Sequence, residues 1–242
     1  PAFDQLVAQV GRLHYHTGGR VRMPLVIRIP FGGGIGAVEH HSESPEAYFA
    51  HTPGLRVVTV ADPQDACSTM RAAIACDDPV ILLEPKRRYW GKGEVDTTVT
   101  ADLSSARVLR QGRDATLVAY GPLVVPALEA AVAAEDDGID LEVIDLRSLA
   151  PLDRDTVAAS VCRTGRLIVA HEAPGNVSVS SEVITSVIED CFEHLEAAPE
   201  RVTGYDVPYP PAALEEHHLP GIDRILDAVD RTLGRRSSRG AA

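Results

Sequence analysis

The feature that most constrains this chain is a recurring alternation of short apolar runs with segments of helical period. The runs Pro24-Leu25-Val26-Ile27-Arg28-Ile29, Arg56-Val57-Val58-Thr59-Val60 and Val80-Ile81-Leu82-Leu83 are followed, further along, by Ala115-Thr116-Leu117-Val118-Ala119, Leu141-Glu142-Val143-Ile144-Asp145 and Arg166-Leu167-Ile168-Val169-Ala170. Each reads as a buried strand. A strand apolar on both faces must be covered on both, and strand–helix alternation achieves this with a parallel sheet. The expected fold is α/β, with two domains of mostly parallel sheets flanked by helices.

Punctuation places the helices. A helix near 2–16 presents Phe3, Leu6, Val7 and Val10 on one face and ends at Gly18-Gly19. The spacing predicts further helices over 45–50, capped by Ser44 with Pro45 in the first turn, and over 63–76, capped by Asp62. Others are expected over 122–135, over 154–162 behind Asp153, over 177–193 and over 222–233, with a short strand near 200–204. Residues 91–105 are polar with few apolar anchors and are expected to be a linker. The tail 235–242 is small and polar, and disorder is expected there. The chain begins with Pro1 rather than Met, and an apolar helix face starts at once. This beginning reads as cut away.

Composition narrows the function. The net charge of −12 argues against nucleic acid and anionic membranes, which need basic patches. No apolar run approaches the roughly 18–20 residues that span a bilayer. Lys86-Arg87-Arg88 and Arg235-Arg236 are short and read as solvated loop charge. Cys67, Cys76, Cys162 and Cys191 form no C-x-x-C pair, so neither a zinc site nor a redox motif is suggested. Free thiols in a reducing cytoplasm are expected, and no signal-peptide pattern is visible.

The chemistry concentrates after the first strand, in Pro30-Phe31-Gly32-Gly33-Gly34-Ile35-Gly36-Ala37-Val38-Glu39-His40-His41-Ser42-Glu43. Ligands of open α/β sheets bind beyond the carboxyl ends of strands. Glycines permit sharp turns and close approach there. Imidazole carries protons near neutral pH. A dinucleotide loop at Gly32-x-Gly34-x-x-Ala37 is disfavoured because no long amphipathic helix begins inside it. Metal ligation by adjacent His40 and His41 matches no ligand spacing, and surface histidines are the bland alternative. Proton transfer in a cleft is favoured over both. His171-Glu172 ends another strand, where it could face a ligand or a subunit contact. His217-His218, beside Glu215-Glu216 in a Pro-rich stretch, reads as plain surface.

Taken together, several segments resemble the β subunit of the thiamine-diphosphate-dependent 2-oxo acid dehydrogenases, the decarboxylating components of the pyruvate and branched-chain complexes within the transketolase-like superfamily. They include Pro1-Ala2-Phe3-Asp4-Gln5, Gly32-Gly33-Gly34-Ile35-Gly36, His41-Ser42-Glu43-Ser44-Pro45-Glu46-Ala47-Tyr48-Phe49-Ala50-His51 and Pro53-Gly54-Leu55-Arg56. Further along come Leu83-Glu84-Pro85-Lys86, Val143-Ile144-Asp145-Leu146-Arg147, His171-Glu172-Ala173 and Gly204-Tyr205-Asp206. Order and spacing hold to about residue 234.

The resemblance implies that 1–90 is the later part of a pyrimidine-binding domain, 91–105 a linker, and 106–234 a transketolase-type C-terminal domain serving mainly in assembly. It implies a heterotetramer of two α and two β chains, with thiamine diphosphate at the α/β interface and its magnesium held by the α chain. The family's active-site histidine falls on His41, with His40 beside it. A monovalent cation, potassium, would be bound mostly by backbone at Leu25, Val26, Ala73, Cys76 and Asp78. The family's cofactor-activating glutamate and a cofactor-touching aromatic lie upstream of Pro1, so the chain alone is expected to be inactive. The implied reaction is oxidative decarboxylation of a small 2-oxo acid, pyruvate or branched-chain, with acyl transfer to lipoyl groups on an acyltransferase core. The rival from another class is a non-catalytic assembly fragment. A sugar-phosphate synthase is disfavoured for want of a basic cluster.

Overall fold

The computed structural model describes residues 2–235. The expected tail therefore lies, beyond Arg235, outside the described residues. The strands are β1 (Val26–Phe31), β2 (Arg56–Thr59), β3 (Val80–Pro85), β4 (Arg107–Arg110), β5 (Ala115–Ala119), β6 (Leu141–Asp145), β7 (Ser148–Ala150), β8 (Leu167–Pro174) and β9 (Glu200–Gly204). The α-helices are α1 (Ala2–Gln5), α2 (Gly11–His16), α3 (Glu46–Ala50), α4 (Pro63–Ala75), α5 (Val124–Glu135), α6 (Arg154–Thr164), α7 (Val179–Cys191), α8 (Glu215–His218) and α9 (Ile222–Thr232). No described helix is long and apolar enough to cross a membrane.

Two sheets form, in strand orders β1-β3-β2-β7 and β4-β6-β5-β8-β9. The pairs β1–β3, β2–β3, β5–β6, β5–β8 and β8–β9 are parallel, whereas β7 and β4 run antiparallel to their neighbours. Strands β3, β5 and β6 are buried along their whole length, as continuous apolar runs demand. The run at 24–29 is corrected. It forms an edge strand, shifted to Val26–Phe31, with Arg28 and Pro30 exposed, because among the described residues only β3 pairs with it.

Strand β7 was not expected. It lies on the C-terminal side of the polar stretch 91–105 yet completes the first sheet against β2, so the two sheets share a covalent and hydrogen-bonded seam. Charged pairs reinforce this seam. Arg107 meets Asp62 at 2.9 Å, and Arg147 meets Asp65 at 3.1 Å. Asp145 lies beneath them; burial first, then the charge of Asp65, raises its pKa to about 8.

Two caps fall where the sequence places them. Asp62 accepts from the Asp65 amide at 2.7 Å, and Asp153 from the Thr156 amide at 3.1 Å. The Ser44 cap is corrected. Pro45 occupies the cap position of α3 itself, and no side chain caps that helix. The segment 2–16 is helical throughout, but a π-turn at Leu6–Val10 separates α1 from α2. Leu6 and Val10 pack on a cluster containing Phe49, Leu55 and Val57. Phe3 remains half exposed, edge-on to Tyr48 and Phe49.

Candidate functional site

Strands β1 and β3 end in register, Pro30 opposite Glu84 and Phe31 opposite Pro85. The segments 32–41 and 86–88 therefore leave the same sheet edge side by side. Lys86 reaches back to the Pro30 carbonyl at 3.4 Å, and burial lowers its pKa. The base of the glycine loop is closed by a 3.0 Å hydrogen bond from the Gly32 amide to the Glu43 carbonyl.

Two carboxylates from the second sheet's side hold this loop. The Gly33 amide donates to Glu172, which also pairs with Arg87 at 3.3 Å. The Gly34 and Gly36 amides both donate to Glu215 at 2.9 Å, and the Tyr209 hydroxyl donates to the same carboxylate at 2.6 Å. Gly34 and Gly36 have φ of 79° and 66°, a region that disfavours other residues. A side chain on Gly33 would overlap the Tyr209 ring and hydroxyl. Burial opposes ionisation of Glu215, but hydrogen bonds from Tyr209 and the amides of Gly36, Gly34 and Ile35 outweigh it and hold its pKa below the ordinary value.

His40 and His41 follow on a 3₁₀ turn, Glu39–His41. Both are exposed, with ring centroids 4.3 Å apart. The described residues supply neither ring with a hydrogen-bond partner, so both remain available to a ligand or another chain.

Beneath the loop lies a layer of buried polar groups. The Tyr120 hydroxyl donates to Glu46 at 2.8 Å, Tyr120 stacks on His171 with centroids 5.5 Å apart, and His171 shares a 2.8 Å hydrogen bond with Ser180. Burial pushes Glu46 up to about 7 and His171 down to about 4. The expectation that His171 faces a ligand or subunit contact is thereby corrected. It is fully buried and neutral near physiological pH, fixed between Tyr120 and Ser180.

His218 is also corrected. It is buried against Tyr205 and Tyr209, whereas His217 is exposed. Two residues that hold the glycine loop escaped the sequence reading. Glu172 was noticed only as part of a strand-end motif, and Glu215 only as surface charge. A single acid in an irregular Pro-rich stretch carries no spacing that marks it.

The residues expected to hold a cation lie at the opposite end of the first sheet, and their backbone groups are engaged locally. The Leu25 carbonyl accepts the Val80 amide at 2.8 Å, and Val26 pairs in register with Val80. The Ala73 carbonyl accepts the Cys76 amide at 3.2 Å; the Asp78 amide donates to Cys76 Sγ at 3.5 Å, and the Asp78 carboxylate meets Arg56 at 2.9 Å. A carbonyl already accepting one hydrogen bond keeps a second lone pair. Among the described residues, no group of three or more His, Cys, Asp or Glu side chains is placed to hold a metal ion.

The family pattern "Transketolase, pyrimidine binding domain" matches residues 2–91, and "Transketolase, C-terminal domain" matches residues 104–225. Fold and sequence thus define a transketolase-type protein. The pyruvate dehydrogenase E1 component subunit beta of Leifsonia xyli subsp. xyli is 56% identical over 234 residues, covering 96% of this chain and 69% of that one. The 3-methyl-2-oxobutanoate dehydrogenase subunit beta of Mycobacterium tuberculosis is 52% identical over 235 residues, covering 96% and 68%. The chain belongs to the family of 2-oxo acid dehydrogenase E1 beta subunits. A solved split-gene transketolase, described as an inactive beta4 tetramer, aligns with a TM-score of 0.73 at 25% identity, covering 96% of this chain and 74% of that one.

Proposed function

We propose that this chain is the β partner in the decarboxylating component of a 2-oxo acid dehydrogenase complex, working in the cytoplasm with an α chain and a second β chain. It would act on a small 2-oxo acid and pass the acyl unit to a lipoyl group on an acyltransferase core. The observation that carries this reading is the exposed His41 imidazole on a loop fixed at the sheet's carboxyl edge. The two relatives are named for different 2-oxo acids, so substrate choice between pyruvate and a branched-chain acid stays open.

Thiamine diphosphate, shared with the α chain, supplies the electron sink for decarboxylation. What this face offers to a shared site is the exposed His41 imidazole on its glycine loop. His41 would hydrogen-bond the reacting substrate or move a proton to or from it. A positioned acid or base contributes roughly 10²–10⁴-fold. His171 cannot share this task, because its ring is sealed in the core. The polar stretch 91–105 would join a pyrimidine-binding unit (1–90) to a C-terminal assembly unit (106–234). Potassium at Leu25, Val26, Ala73, Cys76 and Asp78 would brace the far end of β1.

The second reading, an assembly piece without catalysis, is favoured by the likeness to a solved tetramer titled inactive. Calorimetry with thiamine diphosphate and magnesium, with and without the α chain, separates the readings. The shared-site reading expects binding and 2-oxo acid turnover only with the α chain present, and the assembly reading expects neither in either case. Clear turnover by the chain alone would refute both.

A further inference from the structure

We propose that Glu215, across the fold from the first sheet, is the positioning residue that sets the His41 loop. The juxtaposition is specific. One carboxylate occupies the concavity formed by the Gly34 and Gly36 amides, taking both at 2.9 Å. Such concavities of successive amides are ordinary anion sites. A glycine loop at a strand end invites the reading of a phosphate cradle. Here the protein's own carboxylate occupies that concavity.

Three further features make this a built latch. Tyr209 donates to the same carboxylate at 2.6 Å, which orients it. The same ring lies over Gly33, where any side chain would collide with it. Glu215 is buried, whereas its neighbour Glu216 is exposed. Glu172 fixes the preceding amide from Gly33, and the Gly32–Glu43 hydrogen bond closes the loop's base. The segment 37–41 is thus held at both ends. Its own 3₁₀ turn, closed by the His41 amide on the Val38 carbonyl at 3.0 Å, then sets the backbone from which the imidazole projects. Glu215 touches neither ring. It acts on His41 through the backbone.

The importance of this placement for chemistry rests on the His41 reading above, so the test reads the loop itself. In the isotope-labelled chain, amide hydrogen exchange would be followed by NMR at Gly34 and Gly36, together with the His41 ring resonances. Hydrogen bonds to a charged acceptor correspond to roughly ten- to a hundredfold in an equilibrium. Glu215→Gln should therefore raise exchange at Gly34 and Gly36 by about tenfold and shift the His41 ring signals. Amides of β5 should be unchanged, and Glu216→Gln should move nothing. Tyr209→Phe should act in the same direction but less, and it decides the question if Glu215→Gln does not fold. Unchanged glycine exchange in the folded variants would overturn the latch. Raised exchange with unmoved His41 signals would overturn the positioning role. Full turnover of His41→Ala in the complete enzyme would count against the functional reading and leave the latch standing.

Discussion

Glu46 shows how one residue couples burial to pH. Its carboxyl is 1% exposed, accepts one hydrogen bond from Tyr120, and has a second oxygen without a partner. Burial first, and then the charge of Glu172, lifts its pKa from 4.5 to about 7. A raised carboxyl pKa means that the folded state holds the proton more tightly than the unfolded chain. Its contribution to stability is therefore full below about pH 4.5, falls as pH rises, and levels off above about 7. The loss is on the order of 3 kcal/mol at 1.36 kcal/mol per pKa unit. Glu46→Gln removes this slope. Denaturant unfolding should find the variant close to wild type at pH 5 and more stable at pH 8. Greater stability of wild type at pH 8 would contradict the buried, proton-holding Glu46.

At the scale of elements, the central strands set the stability. Leu117 on β5 is fully buried between α5 and its neighbouring strands, in a cluster with Leu141, Ile168 and Ile225. Leu117→Ala should cost about 2–5 kcal/mol, read as a lowered denaturant midpoint with an unchanged slope. The cap of α6 gives a smaller effect. Asp153→Ala should cost about 1 kcal/mol through the lost Thr156 amide bond; no measurable loss would show that water replaces the cap.

Elements of this kind were legible in the sequence because their signals are local. Asp62-Pro63 and Asp153 announce helix starts, and Val80–Leu83 announces a central strand. Strand β7 was not legible, since three residues carry no period. Strand β4 holds only two apolar residues, Val108 and Leu109, between Arg107 and Arg110, too short a run to read as a strand. The edge position of β1 could not be read either, because an apolar run does not reveal how many neighbours pair with it. The strand-end loop marked His40 and His41 together, and His41 was singled out by the family resemblance. Glu215 was not, because its partnership with Gly34 and Gly36 spans 181 and 179 residues of sequence.

At the scale of the whole molecule, the two sheets are tied by contacts that no cut at the polar stretch would release. Strand β7 pairs with β2, Arg147 holds Asp65, Tyr120 holds Glu46, and Glu172 and Glu215 hold the glycine loop. Calorimetric unfolding should show one cooperative transition; two well-separated transitions would contradict this coupling. The surface also exposes Tyr15, Tyr48, Trp90, Val177 and Phe192, and large exposed apolar patches mark interaction sites or association hazards. Light scattering after size exclusion should report species heavier than 25.9 kDa; a well-behaved monomer at micromolar concentration would favour an independent module.

The central claim is that this chain brings His41 to a site completed by another chain. Its most direct test is 2-oxo acid turnover by the complete enzyme, compared for wild type, His41→Ala and His40→Ala. The account predicts a loss of roughly 10²–10⁴-fold for His41→Ala with assembly intact, and a much smaller loss for His40→Ala. Abolition of turnover by His40→Ala, with His41→Ala still active, would contradict it.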